Sequence, residues 1–60
     1  MKHEVIVRTT FQFDPFILKV EAFKWEDNGD LILYDDLQYW RFPYSVLEYV
    51  HMEVIGNDRT

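Results

Sequence analysis

Apolar and polar positions alternate cleanly at the start of the chain. In residues 3–13, one parity holds five apolar or β-branched residues, and the other parity is mostly polar, with Ile6 as the exception. A period of two with β-branched residues predicts a strand with one buried face. Asp14-Pro15 is expected to end that strand, because proline lacks an N–H and holds the preceding residue in an extended conformation.

Residues 16–26 predict a second strand whose apolar parity changes along its length. Val20 and Ala22 share one parity, whereas Phe23 and Trp25 share the other. Such a change predicts a bulge or bend near Glu21 to Phe23, of the kind that small barrels use to pass between sheets. A helix is the competing interpretation, but β-branched and aromatic residues dominate the segment and no helix cap is visible.

The dipeptide Asn28-Gly29 predicts a hairpin turn. The favoured interpretation is a type I′ turn with these two residues as the loop, which places Trp25 opposite Ile32. The alternative is a type I turn on 27–28 with Gly29 as a bulge, which places Trp25 opposite Leu31 instead. Either register leaves large apolar side chains on both faces, so we expect this hairpin to be covered twice.

The last third of the chain predicts two more strands. A turn over 35–38 precedes a short strand over 39–42, which Pro43 ends. Ser45 and Glu48 fit the capping box of a helix, giving an α+β alternative with a C-terminal helix from Ser45. The alternation over 49–54 favours a single 3₁₀ turn followed by a strand, with Val50, Met52 and Val54 pointing inward.

These elements predict an all-β fold with one short helical turn. We expect a small five-stranded antiparallel sheet or barrel that forms a single domain over residues 1–60, with 56–60 as a frayed tail. The outline is similar to that of SH3-like and Sm-like small barrels. The similarity is one of architecture, since the sequence carries no family motif.

Composition adds an expectation of self-association. The 60 residues contain no cysteine and are 48% hydrophobic, with two Trp, four Tyr and five Phe. A chain this short buries only about 60% of its unfolded surface, so dense packing or association must replace disulfides. Eleven aromatic side chains are difficult to bury in one small core, so we expect a two-fold homodimer.

The chemistry that the sequence excludes is broad. His3 and His51 fit no zinc-ligand spacing, and no nucleophile, base and orienting group stand in a recognisable pattern. No glycine-rich phosphate loop is present. We therefore predict a non-enzymatic protein with no metal and no cofactor. The lack of cysteine, of a signal-type apolar segment and of an 18-residue apolar run favours a cytoplasmic protein that has no membrane partner.

Two groups of residues are candidates for partner binding. The first is an acidic group around the hairpin, which is either a solvated surface or a docking site for a basic partner; it consists of Glu26, Asp27, Asp30, Asp35 and Asp36. The second is an aromatic group, which fills the core, anchors an interface or stacks on nucleic-acid bases; it consists of Tyr39, Trp40, Phe42, Tyr44 and Tyr49. Tyr39, Trp40 and Tyr44 are the predicted anchors of an interface.

The sequence therefore predicts a small protein-binding module, homodimeric, that acts by occluding a surface of another protein. Its size and acidity are typical of phage or mobile-element inhibitors of host defence proteins, which would place it in the host cytoplasm. One alternative is an adaptor that contacts nucleic acid through Arg8, Lys19, Lys24 and Arg41. The net charge of −5 disfavours that alternative, because phosphate repels it. The other alternative is a structural subunit of a larger assembly.

Overall fold

The computed structural model describes residues 2–55, and the tail at 56–60 lies outside the described residues. The elements in chain order are β1 (His3–Thr9), β2 (Gln12–Val20), β3 (Ala22–Trp25), β4 (Leu31–Tyr34), β5 (Tyr39–Phe42), a 3₁₀ turn (Tyr44–Val46) and β6 (Leu47–Val54). The all-β prediction is confirmed.

The strands form two antiparallel sheets of three strands each. The first sheet has the order β2-β1-β6 and the second has the order β3-β4-β5. Neither sheet closes on itself, so the structure does not confirm an SH3-like barrel, and it has six strands over residues 2–55 instead of five. The helix from Ser45 is wrong, because 47–54 pairs along β1 and only one 3₁₀ turn precedes it.

The bend predicted near Glu21 is confirmed. β2 ends at Val20, β3 begins at Ala22, and Glu21 between them is a bend that carries the chain from the first sheet to the second. The change of apolar parity therefore marked a change of sheet, because each sheet buries its own face.

The prediction that Asp14-Pro15 ends a strand is wrong. β1 stops earlier, at Thr9, and Pro15 lies inside β2. β2 is an edge strand, where a missing N–H need not remove a ladder hydrogen bond. The pairing of β1 with β2 is also irregular there, since Val7 faces Phe16 but Thr9 faces Gln12.

The favoured hairpin register is wrong as well. Trp25 faces Leu31, and the Gly29 amide donates to the Glu26 carbonyl oxygen at 2.9 Å. Gly29 has a φ of 95°, whereas no non-glycine residue among those described has a positive φ. Asn28 therefore does not adopt the conformation that a type I′ turn requires, and the turn is the alternative type I turn with a glycine bulge.

The core lies between the two sheets. Val5, Val7 and Val20 come from the first sheet and meet buried residues of the second, namely Leu31, Leu33 and Phe42. Val50 and Met52 of β6 pack against this core as predicted. Val54 is exposed, so its predicted inward position is wrong.

Candidate binding site

The two sheets meet along two seams that differ in how they are filled. Along the first, which we call the closed seam, Phe16 of β2 packs against Trp40 and Phe42 of β5. The ring centroids are 6.2 Å and 5.3 Å apart. The Gln38 side-chain amide donates to the Lys19 carbonyl oxygen at 3.0 Å. Aromatic packing and a hydrogen bond thus join the two sheets on this side.

The second seam, which we call the open seam, is a groove between β3 with its hairpin turn and β6 with the preceding 3₁₀ turn. It encloses about 420 Å³ and is lined by Trp25, Gly29, Tyr44, Leu47, Glu48, Tyr49 and Val50. The fractional exposures of Trp25, Tyr44 and Tyr49 are 48%, 66% and 54%. Three aromatic side chains therefore present large apolar surfaces to solvent in one groove.

Gly29 positions Tyr44 in the open seam. A β-carbon placed on Gly29 would lie 2.7 Å from Cδ1 of Tyr44, so the tyrosine ring rests directly on the glycine backbone. Glycine at this position satisfies two requirements, since it permits the positive φ of the turn and leaves room for the ring. The contact between Gly29 and Tyr44 therefore belongs both to the hairpin turn and to the aromatic groove.

Asp30 fixes the backbone next to that contact. The Tyr44 amide donates to Asp30 Oδ1 at 2.8 Å, and Arg41 Nη2 donates to Oδ2 at 2.8 Å. The Tyr44 amide hydrogen bond, more than the Arg41 side chain, holds the pKa of Asp30 below its usual value, against the opposing effect of desolvation. The buried carboxylate ties the hairpin to the segment that carries Tyr44.

Asp35 has a similar structural role in the next turn. It accepts hydrogen bonds from the amides of Leu37 and Gln38 at 2.8 Å and 3.1 Å, and Lys2 Nζ lies 3.7 Å away. The Leu37 amide and the Gln38 side chain hold the pKa of Asp35 below its usual value. The Asp35 carboxylate is therefore engaged in hydrogen bonds and an ion pair within the chain.

The five predicted acidic residues consequently do not form one surface. Asp30 and Asp35 are engaged in turns, and Glu26 lies 3.6 Å from Lys24 in an ion pair. Asp27 and Asp36 are exposed. The structure adds Glu48, which lines the open seam and was not among the predicted residues.

The predicted aromatic residues also separate. Tyr44 lines the open seam, Trp40 packs in the closed seam, and Tyr39 pairs with Tyr34 on the outer face of the second sheet. Tyr49, a member of the predicted aromatic group, also lines the open seam, whereas sequence reasoning missed Trp25 as a site residue. The sequence did indicate that both faces of the hairpin would be covered. Trp25 fits that expectation, because it lies on the same face as buried Leu31 and yet its side chain is half exposed.

The cations of the nucleic-acid alternative lie on opposite sides of the molecule. Lys24 and Arg41 flank Ile32 on the outer face of the second sheet. Arg8 and Lys19 belong to the first sheet. Among residues 2–55, no lysine or arginine lines the open seam, and Glu48 is the charged residue of its lining.

The two histidines do not come together in a common site. His3 packs edge-on against Phe23 with ring centroids 5.4 Å apart, whereas His51 is exposed. Among residues 2–55, no three His, Asp or Glu side chains gather in a way that could hold a metal ion. The part of the chain that the structure describes contains no helix with the length and apolar character needed to span a membrane.

Comparison with known proteins adds no relative: no family model, no curated protein and no solved structure matches the chain. The open seam is therefore the feature of the molecule from which a function can be proposed.

Proposed function

We propose that the protein is a non-enzymatic protein-binding module and that the open seam is its partner-binding surface. The observation that carries the proposal is the gathering of Trp25, Tyr44 and Tyr49, all about half exposed or more, in one groove. Tryptophan and tyrosine are enriched among residues that dominate binding energy, because they bury a large area with few rotatable bonds.

The shape and charge of the groove indicate the chemistry of its partner. It is bounded by β3 and β6, two edge strands, so its form suits an extended polypeptide segment lying along it. Glu48 lines the groove and exposed Asp27 stands in the adjacent hairpin turn. The partner segment is therefore apolar with at least one lysine or arginine, which keeps the predicted basic partner but moves its contact site.

Binding of this kind acts by occlusion. A partner whose basic segment is held in the groove cannot present that segment to anything else, and no bond has to be made or broken. Origin in a phage or other mobile element, with a host defence protein as the target, stays a prediction from size and composition.

Selection from a random dodecapeptide display library tests the proposal without knowledge of the source organism. Peptides enriched on the wild-type protein should carry a basic residue next to apolar residues. Their binding should weaken by at least about tenfold in Trp25→Ala and in Tyr44→Ala, because truncating an aromatic anchor costs more than about 1.4 kcal/mol.

Tyr39→Ala is the matched control, because Tyr39 is as exposed as Tyr44, at 67% and 66%, but lies on another face. Peptides that bind Trp25→Ala as well as wild type, or that lose binding in Tyr39→Ala instead, would show that the open seam is not the binding surface.

A further inference from the structure

The outer face of the first sheet has a regular arrangement that borders the open seam at Tyr49, which lies opposite Arg8. Val5 and Val7 of β1 are buried, so the alternate residues Glu4, Ile6 and Arg8 project from the opposite face. Ile6 is at the centre, directly opposite Ile17 on β2 and His51 on β6.

Charges of both signs surround this centre. Glu4 lies opposite Lys19 on one side and opposite Glu53 on the other. With Arg8 beyond Ile6, the face carries two acidic and two basic side chains, which balance, although the whole chain has a net charge of −5.

The apolar part of the face lies open. Ile17 is 59% exposed and Phe13 is 89% exposed. The Phe13 carbonyl oxygen accepts a hydrogen bond from Arg8 Nη1 at 3.2 Å, which keeps this part of β2 beside the face. Exposed apolar residues within a charge-balanced border are typical of a surface that another protein covers.

We propose that this face packs against the same face of a second copy of the chain, related by a two-fold axis that crosses the strands at Ile6. The rotation places Glu4 over Arg8 of the second copy and Arg8 over its Glu4, while Ile6 meets Ile6. A two-fold axis along β1 would place Lys19 over Glu53, but it would also place Glu4 over Glu4 and Arg8 over Arg8, and these like charges oppose it. Charge complementarity selects the first arrangement.

The face is small, which sets the expected strength of association. Three strands about 4.8 Å apart and seven residues at about 3.3 Å each cover roughly 14 by 23 Å. This is below the standard area of a stable interface. We therefore expect a dimer with a dissociation constant in the micromolar range.

Sedimentation velocity from about 5 to about 300 µM, a range that spans micromolar dissociation constants, tests the arrangement through a charge swap. Glu4→Arg alone and Arg8→Glu alone should each weaken dimerisation by at least about tenfold, because each places like charges together. The double variant, Glu4→Arg with Arg8→Glu, should restore the dimer, since the swapped charges still meet. Ile17→Asp should weaken it to a similar degree by placing a charge in the apolar centre.

Asp36→Arg is the matched control, because it changes the net charge as Glu4→Arg does but lies in the turn between β4 and β5. Circular dichroism of each variant confirms that the fold is retained. A wild-type chain that is monomeric over the whole range would overturn the proposal. So would a dimer that survives Ile17→Asp, one that the double variant does not restore, or one that Trp25→Ala abolishes.

Discussion

The closed seam and the open seam are made of the same kinds of residue but put them to different uses. In the closed seam, the rings of Phe16, Trp40 and Phe42 contact one another, with Trp40 and Phe42 stacked at 6.2 Å. In the open seam, the Tyr44 ring rests on the Gly29 backbone, and Trp25 and Tyr44 leave about half or more of their surface exposed to solvent. Aromatic content alone therefore does not distinguish a core from a binding surface.

The difference between the two seams indicates which of them contributes more to the stability of this small domain. A domain of 60 residues has a free energy of unfolding of roughly 3–9 kcal/mol, and the aromatic contacts between the sheets are concentrated in the closed seam. The open seam contributes less to folding, so its aromatic side chains are available for a partner.

The largest expected effect comes from removing a ring from the closed seam. Phe42→Ala should lower the free energy of unfolding by about 3–5 kcal/mol, because it removes a buried ring and leaves a cavity. Trp25→Ala, its counterpart in the open seam, should cost less, about 2 kcal/mol, since half of the indole is already exposed. Urea unfolding measures both, and equal losses would contradict the distinction between the seams.

The next effect concerns the contact that joins the hairpin turn to the open seam. Gly29→Ala should cost about 1–2 kcal/mol, because alanine is strained at a positive φ and its β-carbon would meet the Tyr44 ring. In the Tyr44→Ala background the same change should cost less, since the steric part is relieved. A double-mutant cycle by urea unfolding measures the coupling, and strict additivity would contradict the contact.

A smaller effect should appear in acid. The pKa values of Asp30 and Asp35 are lowered in the folded state, so their stabilising contributions are complete above about pH 4 and are lost as pH falls through the folded values. The urea midpoint of the wild type should therefore drop as pH falls below about 4. Asp30→Asn should be less stable than the wild type at neutral pH and should lose less stability on acidification, and an equal loss in both proteins would contradict this role of Asp30.

The smallest effect concerns the charges near the open seam. Asp27→Asn and Glu48→Gln should each weaken binding of a selected basic peptide by no more than about fivefold, because exposed ion pairs contribute about 0.2–1 kcal/mol. Isothermal titration at low and high salt measures this, and Asp36→Asn is the control. Loss of the difference between variants at high salt is expected, whereas a salt-independent difference would mean that these carboxylates act by something other than charge.

The elements that periodicity describes could be predicted, and those set by tertiary contacts could not. The change of parity near Glu21 predicted the bend between sheets because apolar faces must turn inward. The choice between the two hairpin registers could not be made locally, since it depends on Asp30, whose carboxylate binds the Tyr44 amide 14 residues away. For the same reason, Asp30 and Asp35 could not be separated from the exposed acids by spacing.

The site was only partly visible in the sequence. Tyr44 was predicted to bind a partner and does line the groove, but Trp40 carries the same signal and lies in the closed seam. Both are aromatic residues next to a strand end. Which of them meets another ring depends on how the two sheets cross, and no local pattern encodes that crossing.

The most direct test of the central claim uses the two tryptophan side chains, because each seam contains one. The indole N–H of Trp40 donates to Gln38 Oε1 at 2.9 Å in the closed seam, and Trp25 lines the open seam. In a ¹H–¹⁵N correlation spectrum, each indole gives its own resonance as a selected basic peptide is titrated. We predict that the Trp25 indole signal shifts while the Trp40 indole signal stays in place. Binding that shifts Trp40 and leaves Trp25 unchanged would contradict this prediction.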